Sequence, residues 1–225
     1  MFTTTRSGSD PAPADTPGLF LDLHSYSELI LWPWGAISEP APNAEALATL
    51  GHRMGDFTGY TPQPMIDLYP TDGTSIDHVY GTTGVASYTI EIGTAFFQTC
   101  DSFDEALYPP LRDMLRYAAT VADALYRTPA GPEVTADLLP DDRHRFTLTA
   151  SAEQPIAAAQ YTVDVPPGMP DAVPVTMTSA ADGKMLHAAT IRGRKLSTGR
   201  HTLYVRAQSE DGHWGPPDAV FIEVP

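Results

Sequence analysis

The stretch "LDLHSYSELILWPWG", Leu21–Gly35, decides how the first half of this chain is read. The apolar run that begins at Leu19 is short enough for one strand, and it ends on His24. A second apolar run, Leu29–Leu31, follows and leads into Trp32, Pro33 and Trp34. A histidine closing an apolar strand sits at the end of a sheet, where its ring can meet solvent, a hydrogen-bond partner or a ligand. Taken alone, such a histidine is far more often a surface or hydrogen-bonded residue than a metal ligand. The neighbouring segments must settle its role.

Outward from this stretch, strand and helix patterns alternate. "ASYTIEI", Ala86–Ile92, reads as a second apolar strand ending in Glu91. Asn43 is a candidate N-cap for a helix over 44–57. Between 104 and 127, Leu111, Leu115, Ala118, Ala119, Ala122 and Leu125 recur at helical spacing, and Pro109–Pro110 predict a turn before that helix. These patterns give an α/β class for residues 18–127. Residues 1–17 are rich in Ser, Thr, Pro and Asp and read as a flexible lead-in. A Pro/Gly stretch at 128–133 reads as a linker. Beyond it, 134–225 shows short alternating runs such as "HRFTLTASA", "RHTLYVRAQS" and "AVFIEV", separated by turns such as "PPGMP", "ADG" and "EDGHWGPP". That spacing predicts an all-β sandwich domain.

Composition excludes some partners. Lys plus Arg number 13 and Asp plus Glu 28, a formal charge of -15. Such a surface repels phosphate backbones and anionic lipid, so neither nucleic acid nor membrane is expected as a partner. The N-terminal residues contain no apolar core of the kind a signal peptide needs. Cys100 is the only cysteine, so an internal disulfide and a cysteine-rich zinc site are both excluded.

Three blocks in order, "LDLHSYSELILWPWG", "LYPTDGTSID" (68–77) and "SYTIEIG" (87–93), resemble the C-terminal half of a zinc carboxypeptidase of the carboxypeptidase A type. The resemblance covers about residues 19–127. It implies a zinc cofactor with His24 as a metal ligand and Glu91 as the catalytic base. It implies Tyr69 as a catalytic tyrosine that closes over the substrate. Ser25 and Tyr26 would line the cleft, with Ile76 at the floor of the specificity pocket. An apolar floor favours apolar C-terminal residues of a peptide. The same resemblance implies cis peptides at Ser25–Tyr26 and Pro33–Trp34. Residues 134–225, through "STGRHTLYVRAQSEDGHWGPPDAVFIEV", resemble the immunoglobulin-like or fibronectin type III-like modules of secreted bacterial enzymes. An extracellular setting is therefore expected for the parent protein.

The chain departs from the family at two places. No histidine here is followed three residues later by Glu, so the first zinc pair, His-x-x-Glu, is missing. The Asn-Arg pair that grips the substrate carboxylate is missing too. One imidazole is not expected to hold zinc tightly in a site built for three protein ligands. Activity is expected only if the N-terminal half is supplied by another polypeptide, with peptide C-termini as the substrate. The alternative is a non-catalytic extracellular binding or adhesion protein that uses the β-sandwich.

Overall fold

A computed structural model of the chain describes residue 6 and residues 9–141, 145–179 and 186–225. The first residues of the lead-in, His144 of "HRFTLTASA" and the "ADG" turn at 181–183 lie outside the described residues. The chain forms two compact units, Met1–Pro129 and Ala130–Pro225.

The first unit is a mixed four-stranded sheet flanked by helices. Its strands are β1 (Leu19–His24), β2 (Leu29–Trp32), β3 (Thr61–Pro64) and β4 (Ala86–Glu91), in the order β1-β4-β2-β3. β1 runs parallel to β4, β4 antiparallel to β2, and β2 parallel to β3. The aromatic run is thus not hydrogen-bonded to β1, because β4 lies between them. β4 is buried along its length up to Glu91, whereas β1 is an edge strand whose residues are only half buried.

Alternation along the strands divides the sheet's two faces. Ile30, Trp32, Ala86, Tyr88 and Ile90 enter one core with residues of helices α1 (Ala44–Thr58) and α4 (Tyr108–Val121). Leu31 points to the other face and joins Met65 and Ile76. Ile76 belongs to α2 (Ser75–Thr83), which starts on Thr74, whose side chain accepts from Asp77 N. Asp77 in turn holds the loop after Trp34. Gly35 N donates to its carboxylate at 3.0 Å and Ala36 N at 3.2 Å. Trp34 packs edge-on against Tyr80 of α2, with ring centroids 5.1 Å apart. Both peptides implied by the resemblance, Ser25–Tyr26 and Pro33–Trp34, are cis.

Three local expectations need correction. Asn43 does precede α1, but its side chain makes no capping bond. It instead ties Ala12 by both backbone groups and accepts from the Tyr80 hydroxyl, so part of the expected lead-in is packed, with Ala12 buried. The Pro109–Pro110 pair does not introduce a turn. A single α turn, α3 (Cys100–Ser102), passes through a π turn (Phe103–Leu107) straight into α4. The prolines then occupy the first turn of α4, where a missing N–H costs no intrahelical bond. The expected stripe is only partly the buried one. Leu111, Ala118 and, just past the helix, Leu125 are buried as expected, but Leu115 and Ala119 are exposed, and Met114, Tyr117 and Val121 are buried in addition.

The second unit is built from two antiparallel four-stranded sheets. One has the order β5-β6-β10-β9 and the other β12-β11-β7-β8. β5 is Thr135–Asp141, β6 Arg145–Ser151, β7 Ala158–Val163, β8 Val175–Thr176, β9 Thr178–Ser179, β10 Leu186–Arg192, β11 Gly199–Gln208 and β12 Asp218–Val224. Leu148, Ala150 and Ile191 of the first sheet share one core with Ala159, Leu203, Val205 and Ile222 of the second. Trp214, at the tip of the β11–β12 connection, bridges to Gln208 and lies under the Arg206 guanidinium, 4.8 Å from the ring centroid.

A charged pair links β7's exit to β11. His201 Nδ1 lies 2.7 Å from Asp164 Oδ2, Thr202 N donates to Asp164 Oδ1 at 2.9 Å, and His201 Nε2 is 2.9 Å from the Ser197 carbonyl. Both imidazole nitrogens face acceptors, which favours the protonated ring. The hydrogen bond to Asp164 raises the pKa of His201, and the bond from His201 lowers that of Asp164. A raised histidine stabilises the fold below its unfolded pKa, about 6.5, and loses that contribution as pH rises through the folded value. A lowered aspartate stabilises above about pH 4 and loses its contribution as pH falls. The pair is therefore strongest between about pH 4 and 6.5. Burial lowers the pKa of His187, which works in the opposite direction. The expected result is a difference between variants. From pH 5.5 to 8.5, the second unit's urea midpoint should fall further in the wild type than in Asp164→Asn. Equal slopes would show that the pair does not control stability.

Candidate active site

The site grows from the parallel pairing of β1 and β4. Their register sets Asp22 beside Thr89 and His24 beside Glu91, at matching strand ends. Side chains two residues apart on a strand share a face, so Asp22 and His24 project together. Ile92 N donates to the His24 carbonyl at 2.9 Å, which holds the strand ends level. His24 Nδ1 then lies 3.9 Å from Glu91 Oε1, and His24 Nε2 lies 3.1 Å from Asp22 Oδ1. The Ser75 hydroxyl, at the start of α2, donates to Asp22 Oδ2. The His24 side chain is half exposed and that of Glu91 is only 15% exposed. The Glu91 carboxylate is thus mostly enclosed beside a half-exposed imidazole.

The other residues read from the sequence are spread around this pair. Ser25 lines a cavity of about 470 Å³ together with Leu23, His24, Phe96 and Phe103. Tyr26 is partly exposed and meets Phe96 edge-on, with ring centroids 4.9 Å apart. Tyr69 is 57% exposed on the loop before α2. Ile76 has no exposed surface and packs against Leu31 and Met65. The structure thus joins His24, Ser25 and Glu91 in one place, holds Tyr26 close by, and sets Ile76 beneath the sheet's second face. A larger cavity, of about 840 Å³, lies beside Trp34, Ile37, Asp77 and His78 and includes none of these six residues.

Asp22 and Ser75 were not singled out from the sequence. The signal for Asp22 was its two-residue spacing from His24. The signal for Ser75 was its place beside Thr74, which with Asp77 forms a helix-start pattern.

The donor set can be tested against zinc. Histidine ligands of metals commonly have a carboxylate beside the second ring nitrogen, and Asp22 Oδ1 lies 3.1 Å from His24 Nε2. His24 Nδ1, at 3.9 Å from Glu91, is beyond hydrogen-bond distance of that carboxylate. That fits one ligand. Among the described residues, however, no three His, Cys, Asp or Glu side chains are arranged to hold a metal ion. Of the candidate ligands read from the sequence, His24 is the one that these residues could offer.

A mixed sheet that aligns an imidazole with a carboxylate at neighbouring strand ends, followed by the blocks around Tyr69 and Glu91, points to a metallopeptidase. The sequence profile of the zinc carboxypeptidases (Peptidase M14) matches residues 4–121, just over half of the 225 residues, and the chain belongs to that family. A zinc carboxypeptidase of Saccharothrix mutabilis subsp. capreolus is 45% identical over 78 residues, covering 32% of this chain and 18% of the relative. Carboxypeptidase A1 of Mus musculus is 35% identical over 80 residues, 32% of this chain and 19% of the relative. The chain spans less than a fifth of the length of these curated relatives. Among solved structures, the endo-beta-1,4-mannanase from Thermotoga petrophila aligns with 66% of this chain and 34% of its own, at 15% identity and a TM-score of 0.31. That likeness is too low to support any argument. Among the described residues, no helix is long and apolar enough to cross a membrane.

Proposed function

We propose that this chain carries the C-terminal part of a metallocarboxypeptidase active site, which removes apolar C-terminal residues from peptides. The observation that supports this is the level pairing of His24 and Glu91 on adjacent parallel strands. In this reading Glu91 takes the proton of the attacking water. Tyr69 is exposed on a loop and free to close over the substrate, and Ser25 and Tyr26 line its path. Ile76 backs the pocket from below and becomes its floor once a substrate is seated. The missing His-x-x-Glu pair and the arginine that would grip the substrate carboxylate in two hydrogen bonds come from residues other than those described. An extracellular setting and an immunoglobulin-like fold for residues 134–225 belong to the same proposal.

The test mixes the purified chain, with zinc, and a polypeptide comprising the N-terminal part of a family member that bears the pair and the arginine. Release of a C-terminal phenylalanine from a short peptide is then measured. Release should appear with the partner and be absent without it. Release by the chain alone would overturn the division of the site. No release from a demonstrated complex would favour the alternative, a non-catalytic binding protein that works through its β-rich unit.

A further inference from the structure

In the second unit, a cavity of about 330 Å³ opens at the seam of the two sheets, between β7 and the end of β10. Both strands lack a neighbour there. β8 pairs with β7 only at Gln160 and Tyr161, and β9 pairs with β10 only at His187 and Ala188. The cavity wall is apolar, formed by Val163, Ile191 and Leu196, which belong to the core between the sheets or pack on it. The polar lining is Tyr161, Thr190, Arg192 and Lys195. Arg192 ends β10. A 3₁₀ turn, Gly193–Lys195, closed by Leu196 N donating to the Gly193 carbonyl at 2.8 Å, then returns the chain so that Lys195 lines the same cavity. None of these four polar side chains makes an ion pair or a hydrogen bond among the described residues. The chain has 28 acidic and 13 basic residues, so carboxylates are plentiful and two unpaired cations on one cavity are notable. Among the described residues no acid lines the cavity. Asp164, the residue after Val163, is already engaged by His201 and Thr202 N. Burial raises the pKa of Tyr161, so its hydroxyl keeps its proton and can donate.

We propose that this cavity binds a carboxylate attached to an apolar group, the chemistry shared by apolar amino-acid derivatives and peptide C-termini. Arginine and lysine only donate hydrogen bonds, so the charged part of the ligand must accept them. A guanidinium meets a carboxylate with two parallel bonds, and an ammonium adds a point charge. The apolar wall gives nothing to a bare inorganic anion and favours a ligand whose apolar part leaves water. The volume is near the lower bound of small-molecule sites, about 300–1,000 Å³, so a group of amino-acid size fits and a longer chain must leave through the mouth. The formal charge of -15 opposes anions at a distance, but salt at about 0.15 M screens that field within about 8 Å, and inside the cavity the two cations dominate. Charges that merely blunt an exposed sheet edge need no apolar cavity behind them. The cavity belongs to the second unit, and His24 and Glu91 to the first, so binding here does not depend on peptide hydrolysis.

The experiment titrates the full chain, without zinc or partner, with N-acetyl-L-phenylalanine at neutral pH and about 0.15 M salt, following backbone amide shifts by NMR. Saturable shifts are expected at residues 161–163 and 190–196, with a dissociation constant of about 1 mM or tighter, the affinity a ligand of this size reaches at ordinary efficiency. N-acetyl-L-phenylalaninamide keeps the apolar body without the charge, and acetate keeps the charge without the body. Each should bind about tenfold more weakly or worse. Arg192→Gln and Lys195→Gln, at exposed positions, should each weaken binding of the acid about fivefold or more and leave that of the amide unchanged. Arg194→Gln removes a third cation of the same segment, one that does not line the cavity, and should leave the affinity unchanged. The tripeptide glycyl-glycyl-phenylalanine separates the two sources. Tighter binding than the acetylated residue supports a peptide end, and weaker binding supports the small acid. Absence of saturable shifts overturns the proposal. Equal affinity for acetate, or equal losses in Arg194→Gln and Arg192→Gln, also overturns it, because either shows a diffuse attraction of charge and not a site.

Discussion

In the complemented enzyme, Glu91→Gln is expected to lower kcat by about 10² to 10⁴, the usual range for removing a general base, with KM little changed. Glutamine has nearly the same shape, and the Glu91 side chain is mostly enclosed, so β4 should keep its pairing with β1 and β2. The amide cannot take a proton from water and carries no charge, while the shape of the side chain is kept. The loss should therefore fall on the chemical step. Comparable losses in kcat and in binding of the partner polypeptide would instead mean that Glu91 shapes the interface. Retained activity would remove Glu91 from the catalytic assignment and leave the family relationship intact.

The largest effect on stability is expected at Gly215. A Cβ placed there would stand 1.8 Å from the Pro132 carbonyl oxygen, and a Cβ on Gly131 would stand 2.1 Å from Gly215 N. These are backbone atoms, so no change of rotamer can make room. The segment cannot move away freely either, because Gly215 N donates to the Ala207 carbonyl of β11 at 2.9 Å. Gly215→Ala must either break that bond or push residues 131–132 outward, and a cost of about 3 kcal/mol or more is expected. Urea unfolding should show the second unit's transition shifted to lower denaturant while that of the first unit stays in place. A cost below about 0.5 kcal/mol, the range of ordinary surface substitutions, would show that this crossing is loose.

The sequence by itself determined the local elements and the family. The short apolar runs "LFLDL" and "ASYTIEI", and the helix start at Asn43, are properties of neighbouring residues, and β1, β4 and α1 follow them. Three ordered blocks were enough for the zinc carboxypeptidase relationship, since each spacing is a property of one continuous segment. Features that depend on distant contacts were decided elsewhere. The insertion of β4 between β1 and β2 comes from strand pairing across distant segments, and only that insertion sets Glu91 beside His24 and leaves β1 at the edge. Which residues of α4 are buried depended on how the helix rotates against α1 and the sheet, and Met114 and Val121, not Leu115, face inward. Asn43 looked like a cap, but an amide that can reach Ala12 and Tyr80 gains more bonds there than at its own helix end. Asp22 acquired its place in the site only when α2 brought Ser75 against β1, because a carboxylate's role is set by the groups that surround it in space.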